Sequence, residues 1–202
     1  MIGKMVRLVA AVMITMPMLA NAVEIIGNET RVELTSAPTL IGTLGLAIQP
    51  VGTAAIEAVG PTAVFPVTGG TIDDITGELL VEHDGSGLSL SAGTTSLLLL
   101  NFLIDTENTQ ILGDAVTIAP DMGGDLQAAA LNNIPLFNLD GLNLLLTGTA
   151  AGAIDSLFGV PGLTGFEIGT ASLDVAAVPV PGAVWLFGSA LSLLFARKRI
   201  GE

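Results

Sequence analysis

The sequence predicts an all-β protein: a single antiparallel β-sandwich or partly open roll, flanked by an N-terminal signal helix and a C-terminal transmembrane helix. Three observations carry that expectation. Half of the 202 residues are apolar but only 4% are aromatic, and 25 are glycine, a composition of turn-rich sheet rather than of a helical bundle. Between Thr71 and Ile118, short apolar alternations recur between polar turns, as consecutive antiparallel strands require. Basic residues are segregated to the two ends, where the apolar helical stretches also lie. A β-helix is the alternative architecture for the body.

The charge pattern bounds the function as well. From Val23 to Ala196 the only basic residue is Arg31, against 18 Asp and Glu, so the body carries a net charge near −17. Phosphate would be repelled, which excludes nucleic acid as a partner. An acidic body stays soluble and attracts divalent cations. There is no Cys, so disulfides and thiolate metal sites are excluded, and the core alone must hold the fold.

In chain order, residues 1–22 have the three parts of a secretory signal peptide. Lys4 and Arg7 form a basic start, Leu8 to Leu19 an apolar run of 12, and Ala20-Asn21-Ala22 an A-x-A cleavage site. Twelve residues are too few for a comfortable membrane span. Residues 23–177 form the acidic β-rich exported domain. Asn28-Glu29-Thr30 reads as a loop, Arg31 to Leu34 alternates as a half-buried strand, and Thr39 to Ile48 is β-prone. Ala63-Val64-Phe65 is a short strand stopped by Pro66. Gly77 to His83 reads as a strand and Asp84-Gly85-Ser86-Gly87 as a hairpin turn, with Leu88 to Ser91 alternating after it. Ala92-Gly93-Thr94 turns again. Leu97 to Ile104 is a nearly continuous apolar run that belongs in the centre of a sheet, because on an edge it would invite aggregation. Asp105 to Thr109 is a polar turn, and Gln110 to Ile118 is a strand. Beyond it, Asp125 to Leu131 reads as one or two helical turns, Leu142 to Leu146 as a strand, Ala153 to Phe158 as a short helix, and Phe166 to Val175 as the last strand.

Residues 178–202 follow with only Ala176 and Ala177 as a spacer. Pro179 and Pro181 prevent helix from propagating backwards. Ala183 to Ala196 is apolar apart from Ser189 and Ser192, and Arg197, Lys198 and Arg199 then stand together. Val180 to Ala196 is 17 residues, roughly 25 Å of helix, at the short limit for a hydrocarbon core of about 30 Å. The basic cluster can snorkel and Trp185 suits the opposite interface, so a span is feasible. Basic residues at both termini place the body on the outer side of the membrane.

This order of parts resembles the C-terminal signal of PEP-CTERM proteins, which Gram-negative bacteria process with a membrane transpeptidase, exosortase. The motif Val178-Pro179-Val180-Pro181-Gly182 is similar to the variant that begins Val-Pro-Leu-Pro-Ala. Val180 stands where the family usually has Glu, and Gly182 where it has Ala. The resemblance covers about a tenth of the chain. It implies passage through the secretion machinery, removal of the leader by signal peptidase after Ala22, and transient anchoring in the inner membrane with the body facing the periplasm. It further implies cleavage by an exosortase-like enzyme near Pro179–Gly182, with release to the cell surface or into extracellular polymer. Because exosortase systems accompany exopolysaccharide and biofilm production, exopolysaccharide is the partner that the resemblance implies.

No catalytic constellation accompanies the address. The single His, His83, lies between Glu82 and Asp84 at the mouth of the expected hairpin and reads as a solvated turn residue; no Gly-x-Ser-x-Gly elbow accompanies it, and Ser86 reads as turn chemistry. Among 18 acids some pair falls close by chance, so Asp73-Asp74 is weak evidence for glycoside hydrolysis. The one Trp, Trp185, belongs to the tail, so the body offers no Trp or Tyr on which a sugar ring would stack. Calcium is the cofactor that the oxygen-rich composition would suit. Asp121 to Asp125 and Asp105 to Asn108 are loose candidates, but no EF-hand or Gly-Gly-x-Gly-x-Asp motif is present and no metal ligand is assigned. A transmembrane barrel would need aromatic girdles, which are missing. The expectation is therefore a non-catalytic surface or matrix protein with no required cofactor. Its rivals are a secreted hydrolase or a sugar- or calcium-binding protein, and a permanently anchored protein facing the periplasm.

Overall fold

The computed structural model describes residues 22–42, 44–58, 60–121 and 124–178. Ala20, the sorting motif from Pro179 to Gly182, and the basic cluster Arg197, Lys198 and Arg199 lie outside the described residues, as do both expected terminal helices. The described chain runs β1 (Ala22–Glu33), α1 (Ala37–Gly42), β2 (Ala47–Gly52), β3 (Ala55–Ile56), β4 (Thr62–Pro66), β5 (Gly69–Asp73), β6 (Leu79–Ala92), β7 (Thr95–Asp105), β8 (Gln110–Pro120), β9 (Leu126–Asp140), β10 (Asn143–Leu146), α2 (Gly148–Phe158) and β11 (Glu167–Ala177). Among the described residues no helix is long and apolar enough to cross a membrane.

The protein is mostly β, built on one large antiparallel sheet. Every strand pair among the described residues is antiparallel, which removes the parallel β-helix from consideration. The pairings form a circuit: β1 to β5, β5 to β6, then each successive strand to β11, which pairs back with β1. Eight strands close in this way, a number at which inward side chains fill the interior. β4 and β5 lie end to end along β1 in one continuous register, from Glu33↔Thr62 to Ala22↔Asp73.

The long strands bend together. Register shifts fall between His83 and Gly87 on β6, Leu100 and Leu103 on β7, and Gly113 and Ala115 on β8. The residues expected to make a hairpin turn at Asp84-Gly85-Ser86-Gly87 instead make a bulge inside a single 14-residue strand. Gly85, at φ +72°, supplies the left-handed residue a bulge often needs. On β7 the bulge falls at Asn101, φ +53°. Its effect is to shift the alternation by one residue: Leu97 and Leu99 are buried before it, and Phe102 and Ile104 after it. Inward residues thus stay inward across the bend. A polar chain runs along the bulges. Gly85 N–H donates to Asn101 Oδ1 (2.8 Å), Asn101 Nδ2 donates to Asp114 Oδ2 (2.8 Å), and Asn133 N–H donates to Asp114 Oδ1 (2.9 Å).

On one side of this line the strands belong to the closed circuit. On the other, the order β2-β6-β7-β8-β9 forms an open wing. Leu97 to Ile104 is central, between β6 and β8, as its apolar run demands. Helix α2 packs against β7 and β9 through Ala150, Ala151 and Ile154. Thr147 caps it, accepting from Ala150 N–H (3.1 Å) while donating to Pro135 O (2.7 Å); Gly159, at φ +67°, ends it.

Other expectations need correction. The β-prone stretch from Thr39 begins as helix α1, because Ser36 O takes the first amides and Pro38 sits in the first turn, where its missing N–H costs nothing. The stretch Asp125 to Leu131, Ala-rich and helix-prone, is not helical: from Leu126 on it is strand, and its register with Ala115 to Pro120 on β8 overrides local propensity. Asn28-Glu29-Thr30 is inside β1, not in a loop.

Candidate functional site

The interior of the closed half is built from alternation. Extending the inward pattern of Val32 and Leu34 back along β1 places Thr30 on the same face. On β6, Val81 carries His83 inward by the same two-residue step. His83 is only 1% exposed and Thr30 3%, so the expected solvated turn histidine is a buried strand residue. The reason is the bulge: the turn that would have exposed it does not form until Gly93.

Both ring nitrogens of His83 are engaged. Nδ1 lies 3.2 Å from Phe102 O and Nε2 2.7 Å from Thr30 Oγ1. A carbonyl only accepts, so Nδ1 carries a proton. In the neutral ring Nε2 then accepts from the Thr30 hydroxyl. Burial pushes the His83 pKa below its ordinary 6.5, outweighing the Phe102 carbonyl and the Asp84 charge, which favour the cation. Burial thus favours the neutral ring, and the Phe102 carbonyl fixes its tautomer with the proton on Nδ1. Around it, Phe65 meets the His83 ring edge-on (centroids 6.4 Å) and is itself met edge-on by the Phe102 ring (5.2 Å from Phe65), and Phe137 packs against Phe102 at 6.3 Å. Ser86, the other residue expected in a turn, is buried and donates to His83 O (3.0 Å).

This group borders a cavity of about 40 Å³, walled by Val32, Ile104, Leu144 and the three phenylalanines. Since roughly 10–15 Å³ accommodates one water, the space is on the scale of a few solvent molecules. A lone pair already bound to Thr30, beside an apolar space of this size, is suited to holding strands in register.

Surface carboxylates serve local turns. Asp73 accepts from the amides of Ile75 and Thr76, and Asp105 from the amide and side chain of Asn108; these bonds hold both acids below the ordinary carboxylate value. Asp121 accepts from Asp125 N–H at 3.0 Å. Among the described residues no group of three or more His, Cys, Asp or Glu is placed to hold a metal ion, the two loose calcium candidates included. Arg31 reaches Glu29 (2.6 Å) and Glu57 (2.7 Å), tying β1 to the turn that follows β3.

The second feature of interest is where the domain ends. Ile25 pairs with Ala177 and Ile26 with Ala176, and Val178 N–H donates to Glu24 O at 2.9 Å. On its other edge, Ala22 to Glu24 pairs with Thr71 to Asp73. Ala22, the last residue of the expected cleavage site at the start of β1, and Val178, the first of the expected sorting motif just past the end of β11, are therefore two rungs apart. It is the β1–β11 pairing that puts these two expected positions together.

No family model, curated protein or solved structure matches the chain.

Proposed function

We propose that residues 23–177 are a non-catalytic acidic passenger, exported under the signal peptide 1–22 and delivered to the cell surface or extracellular matrix by the sorting tail 178–202. In this reading the passenger is a closed roll rather than a two-sheet sandwich. The observation that supports it is the pairing of the ends. A leader and a tail held in the same membrane demand that the folded body present both ends at one place. The chain has almost no slack for anything else, since β11 runs to Ala177 and the first proline is Pro179. With Val178 bonded to Glu24, the roll can fold completely while tethered at a single point.

An exosortase-like transpeptidase would then cut near Pro179–Gly182 and release a body whose one cation, Arg31, is already committed to Glu29 and Glu57. Exopolysaccharide is the partner proposed for the released form. Intact mass measurement of the protein recovered from the cell surface tests the reading. A mass ending near Pro179–Gly182 is expected. Recovery of chains that still carry Arg197 to Arg199 would overturn processing and leave the permanently anchored protein in its place.

A further inference from the structure

The sheet has four strand edges that meet no further strand among the described residues, and they are not alike. β2 pairs only with β6, and its six residues include Pro50, which cannot donate to an incoming strand. β3 is two residues long. The third edge is the outer side of Leu126–Asn133 in β9. It pairs with β8 on one side, and β10 joins β9 only from Phe137 to Asp140. These eight residues hold no proline and no charge, and every one of them is exposed. Leu126 is 59% and Leu131 54% exposed, on opposite faces of the strand. Natural sheets guard such an edge with lysine, proline, shortness or a cover. The fourth edge, the outer side of residues 172–177 in β11 beyond its pairing with β10, carries the charge of Asp174, so three edges are guarded and one is not.

We propose that Leu126–Asn133 is an interface for a second copy of this chain, pairing edge to edge and antiparallel about a two-fold axis. The occupant follows from charge and symmetry. Two bodies of net charge near −17 repel over most of their surfaces, but across this edge both chains are neutral. An antiparallel edge is its own complement: each outward N–H meets a C=O of the other copy and each C=O an N–H, and Ala128, Ala129 and Ala130 at the centre are small enough not to obstruct the approach. A two-fold pairing of this kind must centre on one residue, so that side chains on each rung share a face. Both β9 edges are consumed in the contact and the other edges are guarded, so assembly stops at the dimer and does not propagate as a fibre. The inference does not depend on the fate of the tail.

The natural absence of cysteine makes the test direct. In the full-length protein, single Cys is introduced at Gln127, Ala128, Ala129, Ala130 or Leu131, and at Gln49 on β2 as the control. Antiparallel rungs hold Cα atoms about 4.5–5.5 Å apart, within the range of about 4.4–6.8 Å that a disulfide spans. Oxidation is expected to give a covalent dimer whose yield peaks at one of the central alanines and declines on either side, with none from Gln49→Cys. Without cysteine, sedimentation should show a concentration-dependent dimer, weakened about tenfold by Ala129→Glu, since like charges facing each other oppose pairing, and unaffected by Gln49→Glu. Equal cross-linking at Gln49, no peak along β9, or a monomer at all concentrations would overturn the proposal. So would a monomer whose amides from 126 to 133 are protected, because its own tail would then be the occupant.

Discussion

The two sides of the bulge line use the same four strands for different ends. On the closed side, Phe102, Ile104, Ile111 and Phe137 face an interior sealed by a complete circuit of hydrogen bonds. On the wing, β9 has one bonded edge and two exposed faces. One strand thus contains both Phe137, among the buried aromatic residues, and Leu131, more than half exposed. Hydrophobicity alone does not separate them; the side of the bulge does. Closure removes edges and makes a core, whereas extension past the bulge leaves an edge free. Adaptability should therefore be concentrated at the outer end of β9, since the wing strands β6 and β7 still bury Leu90, Leu97 and Leu99.

The strongest way to break this contrast is at the aromatic contact. Phe102 touches Phe65 edge-on and Phe137 at a tilt, with its ring buried. Phe102→Ala should cost about 3–5 kcal/mol, the usual toll of a large core truncation, measured by urea unfolding. A loss below about 1 kcal/mol would mean that the circuit, not its filling, holds the roll.

Next in size is the buried polar pair. Thr30→Val keeps the shape but leaves His83 Nε2 without its donor, at a cost of about 1–3 kcal/mol. The pH dependence has a definite sign. His83 is depressed in the folded protein, so as the pH falls below 6.5 the unfolded chain takes up its proton first. The contribution is full above that value and is lost as the pH falls through the folded pKa. Asp73 and Asp105, also depressed, add a separate loss that begins only near 3.8 and below. In urea titrations, His83→Gln should abolish the upper step and leave the lower one; survival of the upper step in the variant would assign it to another group.

How much of this was written in the sequence follows from the same division. The hairpins from β6 to β8 were legible because Gly93 and the turn at Asp105–Thr109 are true reversals, and the placement of Leu97 to Ile104 in the centre followed from its apolarity. The bulge was not legible. Asp84-Gly85-Ser86-Gly87 offers the same positive φ and side-chain hydrogen bonds to a turn and to a bulge, and only the pairing of Gly87 with Leu100 decides between them. The misplacement of His83 descends from that one ambiguity. Ala-rich β9 misled for a different reason: a strand exposed on both faces has no alternation to read. Helix α1 did leave a signal, Ser36 followed by Pro38, which the β-prone residues after it obscured. The paired ends required tertiary contacts 150 residues apart, beyond any local pattern.

The bulge itself can be tested with a smaller effect. Asn101 holds φ +53° and links β6 to β8 through its amide. Asn101→Ala should cost about 1–2 kcal/mol, because Ala lacks the polar side chain that lets Asn tolerate that conformation and both hydrogen bonds are lost. Asn101→Gly loses the bonds but not the conformation and should recover part of the deficit. Equal losses in the two variants would show that the amide chain, not the backbone turn, sets the bend.

The smallest effect is expected at the far end of the same strands, and it is the sharpest test of the contrast. Leu126 is as apolar as Leu136 ten residues later, yet the first is 59% exposed and the second fully buried. Leu136→Ala should cost about 2–5 kcal/mol. Leu126→Ala, in protein dilute enough to be monomeric, should stay within about 0.5 kcal/mol. Amide exchange should follow the same order, with 126–133 exchanging well ahead of the closed half, because releasing this outer end of β9 exposes little apolar surface while opening the circuit exposes the core. A large loss at Leu126 in the monomer would require a neighbour covering it within the same chain. That result would count against the free edge on which self-pairing rests, and would place the wing inside the cooperative unit instead of beside it.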